Sequence, residues 1–117
     1  MSMTLYHNPR CSKSRQALAL LQERGVEPDV VRYLENPLTA EALQTLLQQL
    51  DMGPRELLRT GEKIYKELNL REEGLSEQAL INAIAEHPIL MERPVLVSGN
   101  RAVIGRPPER VLELIDG

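Results

Sequence analysis

Tryptophan and phenylalanine are absent from the 117 residues, and tyrosine occurs three times, so the chain has few flat rings on which nucleobases could stack. Its 17 acidic residues outnumber its 14 lysines and arginines, a net charge of −3, which leaves little with which to neutralise a phosphate backbone. Nucleic acid is therefore not an expected partner. One cysteine and two histidines make no internal disulfide and no cluster with the spacing of a metal site, so no metal is expected. A chain without disulfides fits a reducing compartment. No apolar run approaches the roughly 20 residues that cross a bilayer, and no basic, apolar leader precedes Tyr6. Membrane association is not expected, and the cytoplasm is the expected location.

The length suits one domain that buries roughly two-thirds of its unfolded surface. The single cysteine lies in His7-Asn8-Pro9-Arg10-Cys11-Ser12-Lys13-Ser14-Arg15. Before it, Met3-Thr4-Leu5-Tyr6 reads as a short strand. After it, Ala17, Leu18, Leu20 and Leu21 recur at helical spacing and stop at Gly25. Pro9 cannot continue a ladder, so Cys11 falls where strand hands over to helix. Free N–H groups and the positive end of the helix dipole stabilise an anion there. Such positions, with nearby cations, lower a cysteine pKa from about 8.5 towards roughly 3.5 to 7.5. Arg10, Lys13, Arg15 and His7 are the candidate cations. The alternative, a small buried apolar cysteine, sits poorly between Arg10, Ser12 and Lys13. A local arginine pocket for a small oxyanion is compatible with an acidic protein, because potential in a cleft follows the nearest charges.

Along the chain, Asp29-Val30-Val31-Arg32-Tyr33 supplies a second strand and completes a β-α-β unit, with parallel neighbouring or near-neighbouring strands. The start of its helix then opens at the sheet's C-terminal edge, where α/β folds tend to bind ligands. From Thr39 to about His87 the periodicity is helical. Thr39 caps a helix carrying Leu43, Leu46, Leu47 and Leu50; Gly53-Pro54 starts a short one with Leu57 and Leu58; Ile64, Tyr65 and Leu68 suggest another turn or two. Ser76 caps a last one with Leu80, Ile81, Ile84 and Ala85. Arg59, in a helical linker, reads by itself as solvated surface, and His87 as a partner of its helix dipole. Pro94–Ser98 and Arg101–Ile104 are two antiparallel strands joined by Gly99-Asn100. The Pro107-Pro108 pair opens a final helix with Val111, Leu112, Leu114 and Ile115 facing the core.

This order, β-α-β, helices, β-β-α, matches an α/β thioredoxin-like mixed sheet: one domain over residues 1–117 with a helical insertion at about 38–88. The sequence also resembles the glutaredoxin-coupled arsenate reductases over nearly its whole length. The motifs are Tyr6-His7-Asn8-Pro9, Cys11, Ser14-Arg15, Tyr33-Leu34-Glu35-Asn36-Pro37, Leu57-Leu58-Arg59, His87-Pro88-Ile89-Leu90, Arg93-Pro94 and Gly105-Arg106-Pro107. The resemblance implies that Cys11 attacks arsenate and that Arg59, Arg93 and Arg106 surround the oxyanion. It implies that His7 helps set the state of the thiolate, with Asn8, Ser14, Arg15 and Pro94 in support. Pro94 is similar to the cis-proline of thioredoxin-like folds. No bound cofactor is implied. With no second cysteine, the next thiol must come from outside, and the resemblance names glutathione, with glutaredoxin as regenerating partner. The C-x5-R loop of phosphatase-related arsenate reductases is absent, since Arg15 follows Cys11 at C-x3-R.

Where the best-known members carry small residues around the cysteine, this chain has Arg10, Ser12 and Lys13, a pattern that resembles a related branch. Two other readings stand beside arsenate reduction: a glutathione-dependent thiol oxidoreductase acting on another substrate, and an RNA polymerase-binding regulator on the same fold. The redox-sensing regulators carry C-x-x-C, which here reads Cys11-Ser12-Lys13-Ser14.

Overall fold

The computed structural model describes residues 3–116, and the chain divides into two compact units. Residues 1–36 and 93–117 form a sheet unit, and residues 37–92 a helical unit. In the sheet unit β1 (Met3–His7), β2 (Asp29–Arg32), β3 (Val95–Ser98) and β4 (Arg101–Ile104) make one sheet in the order β2-β1-β3-β4. β1 runs parallel to β2, with His7 opposite Arg32, and antiparallel to β3, which pairs antiparallel with β4. This is the thioredoxin-like arrangement expected from the element order. The hairpin closes with Ser98 opposite Arg101, leaving two turn residues, and Gly99 takes the positive φ of 61° that such a turn demands.

Helix α1 (Ser12–Glu23) crosses between the parallel strands. Ser14, Ala17 and Leu21, at i, i+3 and i+7, form its buried face, and Gly25 ends the helix at φ 76°. Ala17 and Leu21 pack with Leu5, Leu96, Val103 and Val111, all buried. The strand period of two carries His7 to the same side as Leu5, and both are buried. A polar imidazole is thus drawn inside by its register and must find a partner there.

The final helix opens differently from the expectation. Pro108–Leu112 is a 3-10 segment, and the α-helical part, α6, is confined to Glu113–Asp116. The Arg110 N–H donates to the Pro107 carbonyl at 3.0 Å, the i to i+3 bond of a tightened first turn, and Val111 is wholly buried.

In the helical unit, α2 (Ala40–Leu50), α3 (Pro54–Leu57), α4 (Lys63–Glu67) and α5 (Glu77–Glu86) follow one another. α2 buries Leu43, Leu46, Leu47 and Leu50, and α5 buries Leu80, Ile81, Ala83 and Ile84, so the two apolar stripes cover each other. Leu58 was expected inside the short helix; it lies just beyond, in extended backbone paired with Met91. The Arg59 N–H donates to the Leu90 carbonyl and the Glu92 N–H to the Leu57 carbonyl, which makes this pairing the better use of the freed backbone groups. Among the described residues no helix is long and apolar enough to cross a membrane, and no group of His, Cys, Asp or Glu is placed to hold a metal ion.

Candidate active site

β1 ends at His7, and a four-residue turn delivers Cys11 to the start of α1. The Cys11 N–H donates to the Asn8 carbonyl at 3.0 Å, and the Arg10 N–H donates to Asn8 Oδ1 at 3.0 Å, an Asx turn that holds the bend. Arg15 Nη1 reaches back to the Pro9 carbonyl at 2.9 Å. Cys11 is the N-cap, with φ −91° and ψ 122°. Its sulfur closes no short cap bond, and the first turn of α1 carries no acid. Burial pushes the thiol up, but the Ser14 N–H, the Arg93 guanidinium and the Lys13 N–H favour the thiolate, and together they hold the thiol below its ordinary range.

The source of the positive charge corrects the sequence reading. Arg10, Lys13, Arg15 and His7 were the expected cations, yet the side chain that favours the thiolate belongs to Arg93, and the Arg106 guanidinium lies 3.9 Å from the sulfur. Lys13 contributes through its backbone N–H, because a residue at the second helical position aims its amide, not its side chain, at the cap. Arg15 is turned to the Pro9 carbonyl. His7 is pushed below the usual imidazole range by burial and by the charges of Arg32 and Arg15, so at neutral pH it is no cation.

Instead, His7 Nδ1 shares a 2.6 Å hydrogen bond with Ser14 Oγ, which also accepts the Asn8 N–H at 3.1 Å. Ser14 is fully buried. It therefore ties the end of β1 to the first turn of α1, while its own amide faces the thiol.

Arg93 and Arg106 meet at Cys11 from distant parts of the chain. Arg106 Nη2 lies 3.9 Å from Cys11 Sγ, and its Nε donates to the Arg93 carbonyl at 2.9 Å. Both arginines precede cis peptide bonds, to Pro94 and to Pro107. The Gly105 N–H donates to the Pro94 carbonyl at 2.8 Å. A Cβ on Gly105 would stand 2.8 Å from Pro94 Cγ and 3.0 Å from Val111 Cγ1, so only glycine lets β4 end this close to Pro94. Gly105 stood in the sequence only as part of the Gly105-Arg106-Pro107 motif, and its packing role against Pro94 and Val111 emerges from the fold. Arg93 Nε is buried with no hydrogen-bond partner, an arrangement that costs about 1–3 kcal/mol and that an anionic acceptor would relieve.

The structure thus gathers Cys11, His7, Asn8, Ser14, Arg15, Arg93, Pro94 and Arg106 in the sheet unit. Arg59 belongs to the helical unit, where Nε pairs with Glu62 at 3.0 Å and Nη1 with Glu92 at 2.8 Å. Burial lowers its pKa, but the two carboxylates raise it more. A cavity of about 730 Å³ in the helical unit is lined by Asp51, Glu56, Glu77 and glutamines, with no cation, and so repels the oxyanion that Arg93 and Arg106 suit.

Comparison with known proteins agrees with this geometry. A profile of the ArsC family matches residues 6–114. The uncharacterized protein YfgD of Escherichia coli is 58% identical over 112 residues, covering 95% of this chain and 94% of its own. An arsenate reductase of Haemophilus influenzae is 45% identical over 116 residues, covering 98% and 100%. The solved structure of an arsenate reductase from Vibrio cholerae superposes with a TM-score of 0.94 at 52% identity, over 97% of each chain.

Proposed function

The chain belongs to the ArsC family, and from that premise we propose that it reduces arsenate to arsenite, with Cys11 as nucleophile and glutathione and glutaredoxin supplying the electrons. The observation that carries this reading is the placement of Arg93 and Arg106 at a helix-capping thiol whose first turn holds no acid. An anion and a nucleophile that is itself an anion meet only where positive charge exceeds what the thiolate alone requires. Guanidinium groups meet tetrahedral oxyanions through paired, charge-assisted hydrogen bonds. Arg59 is the third arginine of the proposal. It enters through the family resemblance alone; within the helical unit its Nε and Nη1 are paired with Glu62 and Glu92.

The Cys11 thiolate attacks arsenic and one oxygen leaves as water, forming an S–As(V) bond. A glutathione thiol displaces a second oxygen, again as water. A glutaredoxin thiolate then attacks the glutathione sulfur. The electron pair of that As–S bond stays on arsenic, which becomes As(III), and the two sulfurs depart as a mixed disulfide. Water displaces the Cys11 sulfur and frees arsenite. One cysteine suffices for this chain because both sulfurs of the disulfide come from outside, which also suits a reducing cytoplasm.

The test is arsenite production by the purified protein. Turnover is expected with glutathione plus glutaredoxin and not with thioredoxin in their place. No arsenite, despite rapid alkylation of Cys11, would overturn arsenate as the substrate and leave a thiol oxidoreductase acting on another compound.

A further inference from the structure

A second, smaller cavity opens in the sheet unit beside the turn that carries Cys11. It holds about 230 Å³ and is lined by residues 7–10 together with Arg32, Leu34 and Glu35. β1 and β2 run parallel with His7 opposite Arg32, so the cavity sits where both strands end and the two turns diverge. Leu34 is 41% exposed and gives the opening an apolar wall. Neither the Arg10 nor the Arg32 guanidinium is paired with a carboxylate among the described residues, although Glu35 lines the same space. Two free cations and one carboxylate around a partly apolar hollow are complementary to a ligand with two carboxylates, one ammonium and a short aliphatic body.

We infer that this cavity binds the glutathione moiety of the reductant, with Arg10 and Arg32 on its two carboxylates and Glu35 facing its ammonium. The inference rests on the proposal that glutathione supplies the second thiol. Glutathione carries the matching groups: a glycine carboxylate, and the α-carboxylate and α-ammonium of its γ-glutamyl residue. Below the roughly 300 Å³ at which pockets begin to enclose whole drug-sized ligands, the cavity takes part of the tripeptide and leaves the cysteinyl thiol outside. Arg10 precedes Cys11 directly, about 3.8 Å away between Cα atoms, so a carboxylate held there keeps the thiol near the nucleophile. The held turn supports this role, since the Asn8 side chain fixes the Arg10 amide while its guanidinium is left for a ligand.

The experiment compares the wild type with Arg10→Ala, Arg32→Ala and Arg32→Glu in two assays. In turnover with arsenate and glutaredoxin, the KM for glutathione is expected to rise about three- to tenfold for each alanine and more for the reversal, with kcat nearly unchanged. A neutral thiol such as 2-mercaptoethanol offered in place of glutathione should show no such dependence. In the second assay, S-methylglutathione, which cannot react, is titrated by NMR into the Cys11→Ser protein. It is expected to shift residues 7–10 and 32–35 and to lose affinity in the Arg32→Glu background. Equal losses with the neutral thiol, or a rise in the KM for glutaredoxin alone, would overturn the inference; the latter would make the cavity a protein-docking surface. A wild type that makes arsenite with glutathione while the arginine variants match it sinks the cavity and spares the function. A wild type that makes none, yet binds S-methylglutathione through Arg32, does the reverse.

Discussion

The sheet unit and the helical unit start their main helices with the same backbone geometry and put it to different uses. Thr39, Ser76 and Cys11 are all extended N-caps. In the helical unit the cap hydroxyl accepts the third amide of its helix at 3.1 Å, from Ala42 and from Ala79, and an acid sits in the first turn, Glu41 or Glu77. The orphan N–H groups and the dipole are therefore already answered. In the sheet unit a sulfur takes the cap position, no short cap bond forms and no acid follows, so the amides of Lys13 and Ser14 act on the thiolate instead. A helix start is a structural device when a neutral oxygen completes it. It becomes a reactive one when an ionisable atom stands there and Arg93 is added. The arginines divide in the same way, since Arg59 is held by two carboxylates and Arg93 has a buried Nε with no partner.

Turning the reactive start into a structural one should have the largest effect. Cys11→Ser supplies the hydroxyl that Thr39 and Ser76 supply, so turnover should fall by at least about a thousandfold, with thermal stability within about 1 kcal/mol of the wild type. Paired activity and melting measurements check this; a variant that fails to fold would break the comparison. Next, Arg93→Ala should reduce turnover on the order of a hundredfold and raise the pH midpoint of Cys11 alkylation, because removing the cation disfavours the thiolate. Arg93→Lys should recover part of the midpoint, since charge is kept, and little of the turnover, since the paired geometry is lost.

A pH series sharpens the contrast at His7. Folding lowers its pKa from the ordinary 6.5, so the unfolded chain takes up the proton first. The stability that neutral His7 contributes is present above about pH 6.5 and is lost as the pH falls through the lower folded value. Urea midpoints between neutral and mildly acidic pH should show that loss, and His7→Gln should flatten it. On the structural side, Thr39→Ala should cost about 1 kcal/mol of stability and leave Cys11 alkylation untouched. Smallest of all, Lys13→Ala should barely move the alkylation midpoint, because the backbone N–H remains. A large rise would restore the side-chain ammonium as the source of the effect.

Local signals carried much of the fold. Helix starts at Thr39 and Ser76, the Gly99-Asn100 turn and the strand alternation around Leu5 were all legible, because caps, tight turns and period-two burial are decided within a few residues. So was the reactive setting of Cys11, since proline-terminated strand and helical periodicity fix where a helix begins. The boundaries at Leu58 and at the 3-10 segment of Pro108–Leu112 were not, because pairing with Met91 and burial of Val111 are contacts made across the chain.

Sequence by itself thus determined the element order and the place of Cys11 at a helix start. Tertiary structure alone decided where the positive charge on the thiol comes from. Charge acts through distance in space, and Arg93 and Arg106 reach Cys11 only because β3 pairs with β1, β4 pairs with β3, and Gly105 lets the end of β4 close on Pro94. Neighbours along the chain lost that role for the same reason: the turn that presents Cys11 sends Arg15 to a carbonyl and leaves Arg10 lining a separate cavity.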